Sequence, residues 1–320
     1  MKYICDIREG DNVSEIYFVK SYQQLKSKVG KAYGSITLQD KTGILDAKIW
    51  DYGPGIAEFD AMDFVFVSGS VTSFQGQLQL RVSRLRKCEE DEVDVTEYMP
   101  SSERNIDEMY TELLRFVQGV KQPHLHDLLR DIFINDKDFQ TRFKKHSAAK
   151  SVHHAFIGGL LEHTLGVVNT CEFMSKQYPY LNHDLLITAA LCHDIGKLNE
   201  ISAFPENDYT DEGNLVGHIY MGAHMIEKRI DEMPDFPVKL RSELVHCILA
   251  HHGELEYGSP KKPALAEAVA LTLADNVDAK LETMKETLLA GDPNATWVGY
   301  SKWFESNIRR TTDGSGLQKM

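Results

Sequence analysis

The sequence predicts a two-domain protein, a small all-β barrel followed by an all-α helical bundle. Three observations carry that expectation. Short segments of alternating polar and apolar residues run to about residue 87, an acidic stretch CEEDEVDVTEYMPSSERNIDEM follows, and from Ile106 onward apolar positions recur every three or four residues. A chain of 320 residues is long enough for two such domains.

The strand-like segments are SEIYFVKSYQQLKS, AYGSITLQD, GILDAKIWD, FVFVSGSVTSF and QLQLRVSRLRK, set apart by the turn-forming DKTG, DYGPG and FQG. Five short strands in so little chain predict a closed or nearly closed barrel of the OB-fold kind, with GIAEFDAM leaving room for a short helix between the third and fourth. Alternation sends Leu45, Ala47 and Ile49 inward, with Ile36, Leu38, Leu78, Leu80 and Val82. Tyr33, Ser35, Thr37, Gln39, Ile44, Asp46, Lys48, Trp50, Gln79 and Arg81 then face outward. Rings interleaved with cations suit single-stranded nucleic acid, so Tyr33, Lys48, Trp50 and Arg81 are the candidate binding residues, with Phe74 of the FQG loop. The segment from Lys20 to Lys31, expected as a loop, adds further lysines. Such rings also pack against neighbouring elements, and lysine runs are commonly solvated surface.

The expected division is a barrel over 1–90, an acidic linker over 91–105 and a helical domain with a C-terminal extension over 106–320. The formal charge of −13 argues against a uniformly polyanion-binding surface. Residues 1–87 carry 12 Lys and Arg against 10 Asp and Glu, so the acidity lies beyond them. Nucleic-acid binding must therefore rest on a local site, or on metal ions that reverse the sign of an acidic pocket. Five widely spaced cysteines without a CxxC pair predict buried thiols in a reducing cytosol. With no signal-like or membrane-spanning apolar run, the expectation is a cytoplasmic protein without a membrane partner.

The helical segments are NIDEMYTELLRFVQGV, HLHDLLRDIFIN, HHAFIGGLLEHTLGVVNTCEFM, DLLITAALCHDIGK, GHIYMGAHMIEKRI, VKLRSELVHCILAHHG and ALAEAVALTLADNVDAKLETMKETLL. In or at the ends of these apolar helices stand His163, His193, Asp194, His218, His251, His252 and Asp275. A lone carboxylate such as Asp194, after DLLITAA, costs several kcal/mol to bury. Either a cap or ion pair satisfies it, or a metal ion does.

The ordered set H…HD…D resembles the HD superfamily of metal-dependent phosphohydrolases. The resemblance implies an HD-type bundle in which His163, His193, Asp194 and Asp275 bind a first divalent metal. His218 and His251 add a second, and Asp194 bridges the two. His252 is a further ligand or supports the site from behind, since neighbours on a helix point about a hundred degrees apart. His153 and His154 could line the cleft, while His224 and His246 are expected to be structural. Lys197, one turn beyond His193 with Gly196 giving room for close approach, is placed to contact a scissile phosphate, or is a solvated helix-end lysine. Imidazoles with a bridging carboxylate suit manganese, iron, cobalt, nickel or zinc more than magnesium.

Some two-metal relatives that open cyclic dinucleotides carry a GYP element, absent from HHGELEYGSPKKP here. An OB-like domain, an acidic connector and an HD domain together resemble the bacterial YhaM-type 3′ to 5′ exoribonucleases over nearly the whole chain. That likeness implies Mn²⁺-favouring hydrolysis of single-stranded RNA, and also of single-stranded DNA. The competing readings are an HD-type nucleotidase or cyclic nucleotide phosphodiesterase with a regulatory barrel, and a non-catalytic nucleic-acid-binding protein. Oligomeric state is open. The aromatic run WVGYSKWFESNIRR is expected to pack on its own bundle, with an RNA grip or a subunit contact as alternatives.

Overall fold

A computed structural model describes residues 1–26, 30–74, 76–150, 154–292 and 294–312. The chain divides into two compact units, Met1–Ser101 with Phe204–Glu206, and Ser102–Ala203 with Asn207–Met320.

In the first unit five strands, β1 (Asn12–Lys26), β2 (Ala32–Asp40), β3 (Gly43–Ile49), β4 (Phe64–Phe74) and β5 (Gln77–Lys87), close into a barrel of order β1-β2-β3-β5-β4. The β3–β5 pair is parallel and the others antiparallel. Alternation fills the interior with Val13, Tyr17, Val19, Ile36, Leu38, Leu45, Ala47, Ile49, Val65, Val67, Leu80 and Val82, as the period of two requires. Four details differ from expectation. Strand β1 runs through Lys26, so Lys20 and Lys26 belong to it; Lys28 falls outside the described residues. The segment 55–62 is not helical; Ile56 forms a parallel bridge to Leu85, and Phe59 is buried in the core. Gln39 is buried, its amide donating to the Tyr98 carbonyl at 3.1 Å. The acidic stretch is also more than a connector up to Ser101. Glu97 pairs with Lys41 at 2.9 Å and accepts from the Tyr3 hydroxyl, and Tyr98 stands edge-on to Phe64.

The second unit is built on α1 (Ile106–Gly119), α2 (Pro123–Arg130), α3 (Lys137–Lys145), α4 (Gly159–Gln177), α5 (His183–Cys192), α6 (Lys197–Glu200), α7 (Asp211–Val216), α8 (His218–Asp231), α9 (Val238–Leu249) and α10 (Ala266–Ala290). Helix α5 explains the apolar run: every residue from Leu185 to Cys192 is buried, and the helix packs against α4, α9 and α10. A helix apolar all round belongs at the centre of a bundle. Asn182 caps its start by accepting from Leu185 N–H. Residues 154–158 do not extend α4, because Gly158 holds a left-handed φ of 84° at its N-cap. The unit is not wholly helical: β6 (Trp297–Ser301) and β7 (Ser306–Arg309) form an antiparallel hairpin. Cys88, Cys171, Cys192 and Cys247 are free and buried, and Cys5 is exposed. Among the described residues no helix is long and apolar enough to cross a membrane.

Candidate metal centre and barrel face

Five segments aim side chains at one buried point beside the end of α5. His163 comes from α4, His193 and Asp194 from the turn after α5, His218 from the first residue of α8, and Asp275 from α10; His251 follows the end of α9. The Asp194 carboxylate separates two groups of donors. Its Oδ2 lies 3.3 Å from His163 Nε2 and 3.4 Å from His193 Nε2, and His163 Nε2 is 3.3 Å from Asp275 Oδ1. Its Oδ1 lies 3.5 Å from His218 Nε2 and 3.6 Å from His251 Nε2. His252 joins the second group: donor atoms of His218, His251 and His252 lie within 4.8 Å of one another, as do those of His163, His193 and Asp275. The helical angle between neighbours does not separate His251 from His252, because α9 ends at Leu249 before the pair.

Each ring is held from behind. His193 Nδ1 donates to Ala190 O at 2.8 Å, His251 Nδ1 to Ile248 O at 2.7 Å and His252 Nδ1 to Tyr257 O at 2.8 Å. His163 Nδ1 donates to Asp278 Oδ2 at 2.7 Å, and His218 Nδ1 to Glu200 Oε1 at 2.9 Å. With every Nδ1 committed, each Nε2 faces inward, the arrangement by which proteins orient metal-binding imidazoles. The inward atoms Asp194 Oδ1, His218 Nε2 and His251 Nε2 are buried without a hydrogen-bond partner. Each such atom costs about 1–3 kcal/mol. Three of them converging on one place fit a cation.

The charge states of Asp194, Asp275, His251 and His252 agree with that fit, while at His163 the carboxylates of Asp194, Asp275 and Asp278 outweigh burial and raise the pKa. Burial would raise the Asp194 carboxyl, but Lys197 and His193 beside it hold it well below the usual carboxylate range. Burial likewise opposes ionisation of Asp275, and His163 and His193 reverse the effect. Burial pushes His251 and His252 down, leaving neutral rings with free lone pairs. Imidazole with carboxylate suits divalent first-row metals. HD domains bind divalent metals, and the two donor groups could hold them.

Lys197 is not a solvated helix-end lysine. Its half-buried ammonium lies 2.6 Å from the buried Asp194 Oδ2 as an ion pair. The space at Gly196 is taken by α8: a Cβ there would stand 2.0 Å from His218 O and 2.6 Å from Gly222 N. Gly196 thus lets the turn carrying Asp194 touch the start of the helix carrying His218.

Two participants, Asp278 and Glu200, escape a reading of the sequence. Asp278 accepts from His163, and His154 Nε2 reaches the same Oδ2 at 3.0 Å. Asp278 lies three residues after Asp275, a spacing that puts both on one helix face. Glu200 anchors His218 through both its ring and its backbone N–H. His153 lies outside the described residues. His246 is structural, accepting from Ala264 N–H at 2.9 Å, while His224 stacks on Tyr220.

On the barrel, Tyr33 and Trp50 stack with ring centroids 4.7 Å apart and planes 22° from parallel. Lys48 pairs with Arg81 in the β3–β5 register, and both lie on the outward side with Tyr33. Lys48 is not a free cation, since Asp46 takes its ammonium at 2.9 Å and Ser35 at 2.7 Å. Phe74 ends β4 and is 61% exposed.

Comparison with known proteins gives a match to the HD domain over residues 160–280. Among solved structures, the HD domain of the L. monocytogenes phosphodiesterase PgpH is 20% identical over 38% of this chain and 67% of its own, with a TM-score of 0.27. The second OB-fold domain of replication protein A from Methanococcus maripaludis is 22% identical over 28% of this chain and 97% of its own, with a TM-score of 0.24. A replication protein A heterotrimer bound to single-stranded DNA matches at 16% identity over 27% and 64%, with a TM-score of 0.22.

Proposed function

We propose that the protein is a metal-dependent phosphodiesterase that shortens single-stranded RNA from its 3′ end and also accepts single-stranded DNA. The observation that carries the hydrolytic part is the convergence of partnerless Asp194 Oδ1, His218 Nε2 and His251 Nε2 on one side of a carboxylate whose other oxygen faces His163 and His193, with Asp275 beside His163. These residues, with His252 in the second group, would hold two divalent ions, manganese favoured, whose chemistry when bound would be Lewis acidity and an activated water for phosphodiester hydrolysis.

The chain's own groups do the rest. Asp194 keeps the two donor groups in register. Asp278 and Glu200 fix the rings of His163 and His218 so that their Nε2 atoms need no reorganisation. Lys197 neutralises Asp194 and keeps two further N–H donors for a phosphate oxygen. On the barrel, the Tyr33–Trp50 stack offers a base platform, and Arg81 offers a phosphate contact. Polarity of cleavage and preference for RNA rest on the likeness to YhaM-type exoribonucleases.

The test is incubation of the full chain with RNA labelled at one end or the other, with Mn²⁺ and with chelator. The expected result is metal-dependent shortening that removes a 3′ label first. Intact RNA under every metal would end the proposal, and faster turnover of mononucleotides or cyclic dinucleotides would favour the nucleotidase reading.

A further inference from the structure

The C-terminal hairpin does not pack its rings on the bundle as the sequence suggested. Trp297 is 59% exposed, Tyr300 64% and Trp303 69%. The register explains why. Paired residues of an antiparallel ribbon share a face, and the pairs are Trp297 with Arg309, Gly299 with Ile308, Tyr300 with Asn307, and Ser301 with Ser306. Ile308 and Ser301 are buried, so the two pairs containing them form the inner face. The outer face is left with Trp297, Arg309, Tyr300 and Asn307. Simple alternation would put Trp297 and Tyr300 on opposite sides; the bulge at Val298 brings them to the same one.

The hairpin is also held firmly. Arg310 Nη2 donates to the Leu288 carbonyl, and Arg310 N–H donates to Thr296 O at 2.9 Å. Gly291 leaves room for Val298, since a Cβ there would stand 2.6 Å from Val298 Cγ1. The rings are therefore displayed on an anchored ribbon.

We infer that this outer face, with the exposed turn that joins the two strands, is a second binding site for single-stranded nucleic acid, one that stacks bases on Trp297 and Tyr300 of the face and Trp303 of the turn and meets phosphates with Arg309 and the turn's Lys302. The inference rests on the proposed nuclease activity. Charge and chemistry select the occupant. Within 297–310 there are Lys302, Arg309 and Arg310 against Glu305 alone, in a chain of net charge −13. The aliphatic side chain of Ile308 is turned inward, so the outer face offers π surfaces beside cations, with Arg309 6.0 Å from the Trp297 ring centre. Rings and arginine also serve protein interfaces, so it is the local excess of positive charge in an acidic chain that favours a polyanion here. Stacking on rings flanked by cations is how single strands are held without sequence preference.

The experiment uses the full chain carrying Asp194→Asn, so that RNA survives, and measures binding of a 20-nucleotide RNA by anisotropy over a range of salt. Replacing Trp297 and Trp303 by Leu keeps apolar area but removes the π surfaces, and should weaken binding about fivefold or more per ring. Replacing Lys302 and Arg309 by Gln should lower the salt dependence, by about 0.7 in the log–log slope for each phosphate no longer neutralised. Unchanged melting temperatures exclude a folding defect, and a 4-thiouridine RNA should cross-link to the peptide containing residues 297–309. Unaltered affinity and slope in both variants, with the Trp50 barrel variant impaired, would overturn the hairpin site and leave the nuclease reading standing. No binding by the Asp194→Asn parent would fail both. Ring variants that bind RNA normally but change the molar mass in light scattering would show a subunit contact instead, which also overturns the inference.

Discussion

Asp278 decides whether His163 can act as a donor at all, since its carboxylate fixes the ring from the far side at 2.7 Å. The Asp278→Asn variant removes the anionic acceptor and should weaken metal binding about 10- to 100-fold, read as Mn²⁺ content after dialysis against graded free metal. The niche for this carboxylate is Gly166, one turn along α4 from His163, where a Cβ would stand 1.8 Å from Asp278 Oδ1. Gly166→Ala should therefore displace the carboxylate and lower metal content in the same direction; full occupancy in both variants would dismiss the role. Asp194→Asn is the harsher change. It removes the negative charge that faces Lys197 and disturbs both donor groups, so metal content and turnover should both collapse, turnover by at least roughly 10³-fold on the scale of catalytic electrostatics. His163, His193, Asp194, His218, His251 and Asp275 were readable in the sequence because ionisable groups are out of place in apolar helices. Glu200 was not, because it sits where the chain leaves regular structure and no periodicity says which way it points.

At the scale of elements, the buried helix α5 is pinned at its outer end by charge. His183 lies 2.8 Å from Glu172 of α4 and 2.9 Å from Asp184. Burial would lower its pKa, but the two carboxylates outweigh that and raise it above the ordinary histidine value. A raised folded pKa means that the stabilisation is fully present below the unfolded value of about 6.5 and is lost as pH rises through the folded value. The ring is partly exposed, so solvent screening holds the effect to about 0.5 kcal/mol. Urea titrations should find His183→Gln less stable than the parent at pH 6 and nearly equal to it at pH 9; the opposite trend would refute the clamp. Strands and helices were legible because alternation and the period of 3.6 mark which face is buried, as Leu45, Ala47 and Ile49 illustrate. The β6–β7 hairpin escaped notice for the converse reason: its bulge breaks alternation and its large rings face outward, so neither period describes it. The turn at Gly196 could be seen as a close approach, but not what approaches, because that depends on where α8 lies.

For the whole molecule, the separation into two units predicts separable grip and cut. The barrel's stacked Tyr33 and Trp50 form a preassembled platform, whereas the Lys48 charge is already shared with Asp46. Replacing Trp50 and Lys48 together by Ala should thus cost affinity chiefly through stacking, about 1–3 kcal/mol, or roughly 5- to 150-fold. The salt dependence should fall by less than the roughly 0.7 in log–log slope expected of a free cation, because Asp46 already neutralises this one. An RNA of two or three nucleotides held by the metal site alone gains nothing from a grip on the barrel, so its hydrolysis should be nearly unaffected by the same pair of changes. Asp194→Asn should behave in reverse, abolishing hydrolysis of long and short RNA while long RNA still binds through the barrel. The comparison needs binding titrations and initial rates for both variants on one 20-nucleotide and one trinucleotide RNA. If the Trp50 and Lys48 changes reduce activity equally on the two lengths with the fold intact, the β2–β3 face is not a remote grip, and the stacked rings must serve the barrel itself, closing its surface where Tyr33 leans on Trp50.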